Sequence, residues 1–264
     1  MALSPRQRRR WSRGAQYAVF VAVVVLVAVK ADWAQLQNQF AQGDLAGQLF
    51  PDIITVALRN TVVYTLAGFV VGLALGVAIA LMRLSSVGPY RWFATVYVEL
   101  FRGLPAVIVF ILIGVAIPLA FPTAVIPGGT TGKVALALGL VAAAYMAETI
   151  RAGIQAVPRG QVEAARSLGF SHAKAMRSIV IPQAFRIVIP PMANELVLLF
   201  KDSSLVLFFG VTIAERELTA FGRNLASESA NSTPILVSGL CYLLLTIPLG
   251  FLARWLEARG ARSR

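Results

Sequence analysis

The sequence is dominated by six apolar runs, each long enough or nearly long enough to cross a lipid bilayer. A membrane-spanning α-helix needs roughly 20 mostly apolar residues to cross a hydrocarbon core of about 30 Å. Hydrophobic residues make up 58% of the 264-residue chain and charged residues 14%, whereas ordinary globular domains carry about 25% charged residues. We therefore predict an all-α integral membrane protein with about six transmembrane helices. The runs are residues 17–29, 61–82, 92–120, 134–150, 188–211 and 234–252.

The first run, residues 17–29, has two interpretations. Basic residues before a short apolar stretch are typical of a cleaved signal peptide. However, Lys30 stands where a cleavage site would need small residues. Trp11 and Trp33 also bracket the run about 33 Å apart along a helix, which is where aromatic residues mark the two membrane surfaces. We favour an uncleaved first transmembrane helix.

The net charge of +12 indicates a membrane topology rather than a nucleic-acid partner. If the N-terminus is cytoplasmic, the basic residues of segments 1–13 and 151–186 and of the C-terminal end all fall on the cytoplasmic side. Only a few basic residues then fall outside, and Lys and Arg are enriched in cytoplasmic loops of membrane proteins. We therefore predict that both termini are cytoplasmic and that the chain binds no nucleic acid. The external basic residues are Lys30, Lys133, Arg216 and Arg223.

Two patterns that could suggest a cofactor or metal site do not support one. The stretch "PGGTTGKV" at 127–134 resembles a phosphate-binding loop, but Pro127 replaces the required glycine and Val134 the required Ser or Thr. Cys241 is the only cysteine and His172 the only histidine, so a disulfide, a metal site or a catalytic triad has no partners. We expect no catalytic residues, no metal site and no cofactor bound by this chain.

Glycines in the second run indicate close packing of helices. Gly68, Gly72 and Gly76 are spaced four residues apart, so they lie on one face of a helix. Small residues at this spacing let two membrane helices approach closely. We favour packing inside a helix bundle over a homodimer seam.

Residues 155–186, here called the foot, are charged and alanine-rich although apolar runs flank them. Gly169 suits the left-handed end of a helix that begins near Gln161. Ser171 can cap a second short helix over residues 172–180, and Pro182 is expected to close it. The exposed apolar face of this helix pair suits a helix laid in a groove of another protein. That face comprises the alanines with Leu168, Phe170, Ala173 and Met176.

The foot also carries a family resemblance. Glu163-Ala164-Ala165, Gly169 and Ile181-Pro182 resemble the EAA loop of ABC-importer permeases, with Ile181 where leucine is usual. The stretches "YVELFRGLPAVIVF" at 97–110, "AYMAETIRAGIQAVPRGQVEAARSLG" at 144–169 and "NELVLLFKDSSL" at 194–205 resemble the polar amino-acid branch of that family. The similarity spans roughly residues 53–254. "LPAVIVF" departs from the family, whose members often carry threonine and glutamine there.

The resemblance implies the permease subunit of a type I ABC importer, which works with other chains. These are a second permease subunit, identical or homologous, a cytoplasmic ATPase dimer that binds ATP and Mg, and an external solute-binding protein. The usual core has five helices, so the first helix is an addition. The residues that the resemblance assigns to ATPase coupling are Glu163, Ala164, Ala165, Leu168, Gly169, Phe170, Ala173 and Met176.

Polar residues in the fifth run predict a substrate path. Asn194, Glu195, Lys201 and Asp202, here called the polar arc, lie within about 120° of one helix face at 100° per residue. By helix rise we place them roughly 10–23 Å deep, near the bilayer midplane. Ionisable residues inside membranes usually face a cavity or a partner, and a face with both signs suits an amino-acid zwitterion. Alternatively, these groups pair with each other or with Glu99 and Arg102 and hold the interface between subunits. The predicted path also includes Ser203, Ser204, Glu99 and Arg102.

Together these features predict a multi-pass protein of the bacterial plasma membrane. Residues 1–52 hold the basic N-terminus, the first helix and an external connection, residues 53–254 the permease core, and residues 255–264 a basic tail. The predicted function is import of small polar amino acids, glutamate- or glutamine-like or basic, driven by ATP hydrolysis on a partner chain. The alternative is an ion-coupled secondary transporter or a channel that works without an ATPase, with Glu195 and Asp202 binding ions. That alternative gives the foot no role.

Overall fold

The computed structural model describes residues 5–123 and 125–262, with side chains described over 13–123 and 125–259. These residues form helices and their connections, without a β-strand. The α-helices are α1 Pro5–Lys30, α2 Trp33–Phe40, α3 Gly43–Gln48, α4 Arg59–Leu84, α5 Gly88–Gly103, α6 Ala106–Ile111, α7 Ile117–Ala120, α8 Gly129–Gln155, α9 Arg159–Ser167, α10 His172–Ala175, α11 Ile181–Asp202, α12 Leu218–Ser229 and α13 Thr233–Arg262. Wide π-helical turns occupy Ile53–Leu58, Leu112–Ala116 and Met176–Val180, and 3₁₀ turns occupy Ser203–Phe209 and Ile213–Glu215. The predicted all-α fold is confirmed.

Four of the predicted spans are long, apolar helices: Arg13–Lys30, Ile53–Leu84, Gly129–Gln155 and Thr233–Arg259. A bent pair of helices brings the number of candidate spans in the described residues to five. The predicted run 188–211 is not among them. The α-helical part of this run ends with α11 at Asp202, and a 3₁₀ turn over Ser203–Phe209 follows. A count of six spans and a cytoplasmic location of both termini therefore stay predictions.

The predicted single helix over 92–120 is wrong, because the chain bends by 105° between Gly103 and Ala106. Leu104 is extended, with φ −85° and ψ 136°. The ring of Pro105 disfavours the helical conformation for the residue before it, so α5 ends there. The run is therefore a helix that reaches the bend, followed by a second helical segment through α6 and α7.

The centre of the molecule is the close pairing of α4 with α8. The glycines of α4 face α8: a Cβ on Gly72 would lie 3.0 Å from Ala142 Cβ, and one on Gly76 would lie 2.9 Å from Met146 Cβ. Because these positions have no side chain, the two backbones approach closely. Packing within the bundle, as predicted for these glycines, is confirmed.

A polar layer at one end of the bundle fixes the connection that precedes α12. The side-chain amide of Asn60 donates to the backbone carbonyl oxygens of Ala214 (2.8 Å) and Arg216 (3.0 Å). The hydroxyl of Tyr64 donates to the backbone carbonyl oxygen of Glu215 (2.9 Å). The hydroxyl of Thr130, within the sequence that resembles a phosphate loop, donates to Glu215 Oε1 at 2.6 Å. These residues thus have structural roles.

The N-terminal segment joins the same end of the bundle. In the predicted external connection, α2 and α3 are short helices, and the side-chain amide of Asn231 donates to the Asn38 carbonyl oxygen at 2.8 Å. By contrast, none of the span Arg13–Lys30 in α1 is buried by the described part of the chain. The first helix is therefore attached to the bundle through α2 and not through its own apolar surface.

Candidate coupling surface and substrate path

The foot contains the predicted helix, glycine and second helix. The backbone N–H of Gly169 donates to the carbonyl oxygen of Arg166, and that of Phe170 to the carbonyl oxygen of Ala165, both at 3.0 Å. Gly169 has φ +83°. These two bonds and the left-handed residue form a Schellman motif, which satisfies carbonyl groups at a helix end. The predicted conformation of Gly169 is confirmed.

The second helix of the foot starts as predicted but does not end where predicted. Ser171 Oγ accepts a hydrogen bond from the backbone N–H of Lys174 at 3.2 Å, so Ser171 caps α10. Beyond Ala175 the chain continues through the π-helical turn Met176–Val180 directly into α11. Pro182 lies in the first turn of α11, where its missing N–H costs little. The prediction that Pro182 closes the helix is therefore wrong.

The predicted coupling residues divide into an outer and an inner set. Leu168 is 80% exposed, the side chains of Glu163, Ala164 and Ala173 are exposed, and Phe170 is partly exposed. Ala165 is buried. Met176 packs against a cluster that includes Val157, Val180 and Ala184, which corrects its predicted place on the exposed face. The outer set thus gives the foot an exposed surface with apolar and acidic side chains, and Met176 packs among residues of α8 and α11.

Lys174 adds a positive charge beside this surface. Its Nζ lies 4.4 Å from the centroid of the Phe170 ring, a distance at which an ammonium group is attracted to the ring face. This contact holds Phe170 close to the start of α10. The exposed surface of the foot thus combines an apolar residue, Leu168, with groups of both charges.

A network of ion pairs lies where α8 approaches the foot. The carboxylate of Glu148 forms ion pairs with Arg83 at the end of α4 and with Arg151 one turn further along α8. Arg151 also donates to the side-chain oxygen of Gln155 at 2.5 Å. The i,i+3 spacing of Glu148 and Arg151 at the end of the fourth apolar run predicts a structural pair, and the ion pair confirms it. Arg83 was missed because its position close to α8 depends on tertiary packing.

The polar arc of α11 does not lie at one depth. The side-chain amide of Asn194 donates to Glu257 Oε1 at 2.7 Å, and Glu257 is at the last turns of the apolar span that ends at Arg259. At 1.5 Å per residue, Lys201 and Asp202 lie about 11 Å further into the bundle. Asn194 is thus the end of the arc that lies beside the last turns of α13, and Lys201 and Asp202 form its deeper end. The predicted depth of the arc in the bilayer stays a prediction.

Within the described part of the chain, the charged groups of the arc do not pair with one another. Among side chains 13–123 and 125–259, none of Glu195, Lys201 or Asp202 forms an ion pair within 4.0 Å. Glu195 and Asp202 are half-buried, Lys201 is exposed and Ser203 is fully buried, while Ser204 is half-buried. Most of the arc thus carries charged or polar groups that are free to meet a ligand or another chain.

Glu99 and Arg102 lie on α5, apart from α11, and both are exposed. The Arg102 guanidinium carbon is 5.7 Å from the centroid of the Tyr145 ring on α8. Exposed charges on a membrane helix are costly in lipid and usually face water or protein. The structure does not bring this pair into contact with the polar arc within the chain.

Comparison with known proteins identifies relatives over most of the chain. Residues 72–262 match the sequence model of a family described as "Binding-protein-dependent transport system inner membrane component". The probable glutamine ABC transporter permease protein GlnM of Bacillus subtilis (strain 168) is 38% identical over 205 residues, covering 76% of this chain and 91% of that relative. The glutamate/aspartate import permease protein GltK of Escherichia coli O157:H7 is 34% identical over 206 residues, covering 76% and 90%.

A solved structure has the same fold. The crystal structure of an amino acid ABC transporter with histidines superposes with a TM-score of 0.71 at 32% sequence identity. The superposition covers 81% of this chain and 96% of the solved one. The helical arrangement described above is therefore similar to that of a chain in a solved amino acid ABC transporter.

Proposed function

The chain belongs to the family of binding-protein-dependent transport system inner membrane components, and from this premise we propose that it is the permease subunit of an ATP-driven importer of polar amino acids. As a family member with several apolar helices, it is a multi-pass protein of the bacterial plasma membrane. The relatives named above are permeases for glutamine and for glutamate and aspartate. They support a polar amino acid as the substrate class.

The geometry of the foot is the main support for a role in coupling the permease to an ATPase. The Schellman motif at Gly169 sets the angle between two short helices, and Leu168 and Glu163 are both exposed on the foot. An exposed leucine of this kind gains free energy when another protein covers it, on the order of 2 kcal/mol. We assign this surface to a groove of a cytoplasmic ATPase, whose ATP and Mg drive the cycle.

The polar arc supports a substrate path along α11. Lys201 can bind a carboxylate, and Glu195 or Asp202 can bind an ammonium group, which are the two charged groups of every free amino acid. Exposed Glu99 and Arg102 on α5 must also meet protein or water. We propose that a second permease subunit covers these faces and that an external solute-binding protein delivers the amino acid.

Co-purification tests the coupling role directly. The chain is expressed in its own host, purified in mild detergent, and an associated ATPase is quantified. We expect a stoichiometric ATPase with the wild type and a loss of at least about tenfold with Leu168→Asp, because a buried charge replaces an apolar contact. Ile213→Asp is the control, since Ile213 is 73% exposed but lies in the connection before α12. An unchanged yield with Leu168→Asp would contradict the assigned surface.

Transport in proteoliposomes tests the substrate and the energy source. The complex should take up radiolabelled glutamine, glutamate or arginine only when its solute-binding protein and internal ATP are present. Uptake driven by an ion gradient without ATP would instead identify a secondary transporter. Competition among the three amino acids then identifies the preferred substrate.

A further inference from the structure

The last turns of α13 present two different faces. On the inner face, Ala253 is fully buried, and Glu257 accepts the hydrogen bond from Asn194 of α11. On the other face, Phe251 is 62% exposed and Trp255 is 51% exposed. Phe251 and Trp255 are four residues apart, so their rings lie on one side of the helix.

An arginine guanidinium group lies over each exposed ring. The guanidinium carbon of Arg254 lies 4.5 Å from the Phe251 ring centroid, and that of Arg259 lies 4.3 Å from the Trp255 ring centroid. Stacking on a ring orders a guanidinium group through a cation–π interaction. It leaves the N–H groups at the edge of the guanidinium plane available to an acceptor.

The two arginines have no carboxylate partner in the described part of the chain. Neither guanidinium group forms an ion pair within 4.0 Å among side chains 13–123 and 125–259. Glu257 is the nearest carboxylate in sequence, and its Oε1 accepts from Asn194 on the inner face. The outer face is therefore positively charged, ordered and lacking an acceptor.

The position of this face decides which acceptor fits. It lies at the end of the apolar span Thr233–Arg259, and the end of a helix that crosses a bilayer reaches the level of the lipid headgroups. Exposed Trp and Phe rings beside arginine suit this interface, because the rings contact acyl chains while the charged groups reach the headgroups. Arginine binds phosphate through two parallel N–H bonds, and anionic lipids attract basic residues close to the membrane surface.

We propose that Phe251, Arg254, Trp255 and Arg259 form a binding site for the phosphate group of an anionic membrane phospholipid. The two guanidinium groups bind the headgroup, and the two rings pack along the first part of its acyl chains. The inner face of the same turns contacts α11 through Glu257 and Asn194. A bound lipid therefore restrains the end of α13 beside the helix that carries the polar arc.

Quenching of Trp255 fluorescence by brominated lipids measures the occupant of this site. Trp11→Phe, Trp33→Phe and Trp92→Phe are introduced into the full chain, so that Trp255 is its only tryptophan. This variant is reconstituted into vesicles. We expect brominated phosphatidylglycerol to bind about fivefold more tightly than brominated phosphatidylcholine. Adding Arg254→Gln and Arg259→Gln should bring the two lipids to equal binding.

A chain that retains only Trp33 is the matched control. Trp33 is 57% exposed, and its indole N–H donates to the Ala28 carbonyl oxygen. It should show no preference between the two lipids.

Equal binding of both lipids at Trp255, or a preference that survives the two glutamine substitutions, would overturn the proposal. Absence of quenching by either lipid would mean that protein covers the face. Displacement by inorganic phosphate would mean a site for the free ion. Either result would also overturn it.

Discussion

The hydroxyl of Tyr242 on α13 donates a hydrogen bond to the fully buried carboxylate of Glu217 at 2.6 Å. Glu217 also accepts from the backbone N–H groups of Thr219 (2.6 Å) and Ala220 (2.7 Å), so it caps α12. The backbone N–H of the next residue, Leu218, donates to Thr61 of α4 at 3.1 Å. One short segment thus joins three helices, and a carboxyl group is enclosed at the junction.

This enclosure makes stability depend on pH in a definite direction. Burial raises the pKa of the Glu217 carboxyl above its ordinary value of 4.5, and the hydrogen bond from Tyr242 lowers it in part. A carboxyl that holds its proton more tightly in the folded state contributes most stability at low pH. That contribution is lost as pH rises from the ordinary pKa through the raised one.

Glu217→Gln should remove this dependence because glutamine does not ionise. We expect the melting temperature of the wild type to fall, relative to that of the variant, as pH rises above the ordinary carboxyl pKa of 4.5. Thermal unfolding of the detergent-solubilised chain across this range measures the difference. Glu228→Gln is the control because Glu228 is exposed on the same helix. A difference that stays constant with pH would mean that Glu217 holds its proton equally in both states.

The α4–α8 contact predicts a steric effect of adding one methyl group. A Cβ on Gly76 would lie 2.9 Å from Met146 Cβ and 3.3 Å from the Ala143 carbonyl oxygen, whereas one on Gly239 of α13 would meet nothing within 4 Å. We expect Gly76→Ala to destabilise the chain by about 1–3 kcal/mol through overpacking. The matched Gly239→Ala should change stability little. Equal melting temperatures for the two variants would contradict the close approach of α4 and α8.

Features of the fold that depend on neighbouring residues could be predicted from the sequence. Gly169 and Ser171 carry their signals locally, because a left-handed helix end needs glycine and a first helical turn needs a hydroxyl acceptor. The bend at Leu104 also has a local signal, since a residue before proline avoids the helical conformation. The apolar character of the run outweighed that signal in the prediction of one helix over 92–120.

Features that depend on tertiary packing could not be predicted. Glu217 and Tyr242 are 25 residues apart in sequence, and their contact exists only because α12 packs against α13. Nothing in the sequence reveals the π-helical turn before Pro182, so the pattern predicts a helix end where the chain continues into α11. The contact of Asn194 with Glu257 likewise depends on how α11 lies against α13, so helix rise alone could not predict it.

The polar arc predicts a loss of uptake without a loss of assembly. If Glu195 and Lys201 bind the charged groups of the amino acid, Glu195→Gln or Lys201→Met should reduce uptake in proteoliposomes by at least about tenfold. Assembly with the ATPase and basal ATP hydrolysis should remain, because neither residue forms an ion pair within the described chain. Glu228→Gln serves again as an exposed control. Unchanged uptake kinetics in both arc variants would rule out direct binding of substrate.

The glycine of the foot predicts a loss of coupling in a permease that still folds. Gly169 has φ +83°, and a Cβ there meets nothing within 4 Å. Gly169→Asp is therefore costly through backbone conformation and not through a clash, by on the order of 1 kcal/mol or more. Relief of that strain should rotate α9 relative to α10 and displace Leu168. We expect substrate-stimulated ATP hydrolysis and uptake to fall together, while membrane abundance stays close to that of the wild type.

Gly160→Asp provides the matched control for this prediction. Gly160 lies in the first turn of α9, where a Cβ also meets nothing within 4 Å and φ is not positive. The substitution adds the same charge to the same foot, and an acidic residue is favourable near a helix N-terminus. It should therefore leave hydrolysis and uptake near wild-type values. If both variants fail equally, the added charge and not the angle between the helices is responsible. If Gly169→Asp keeps wild-type hydrolysis, uptake and ATPase yield, the foot does not couple the two chains.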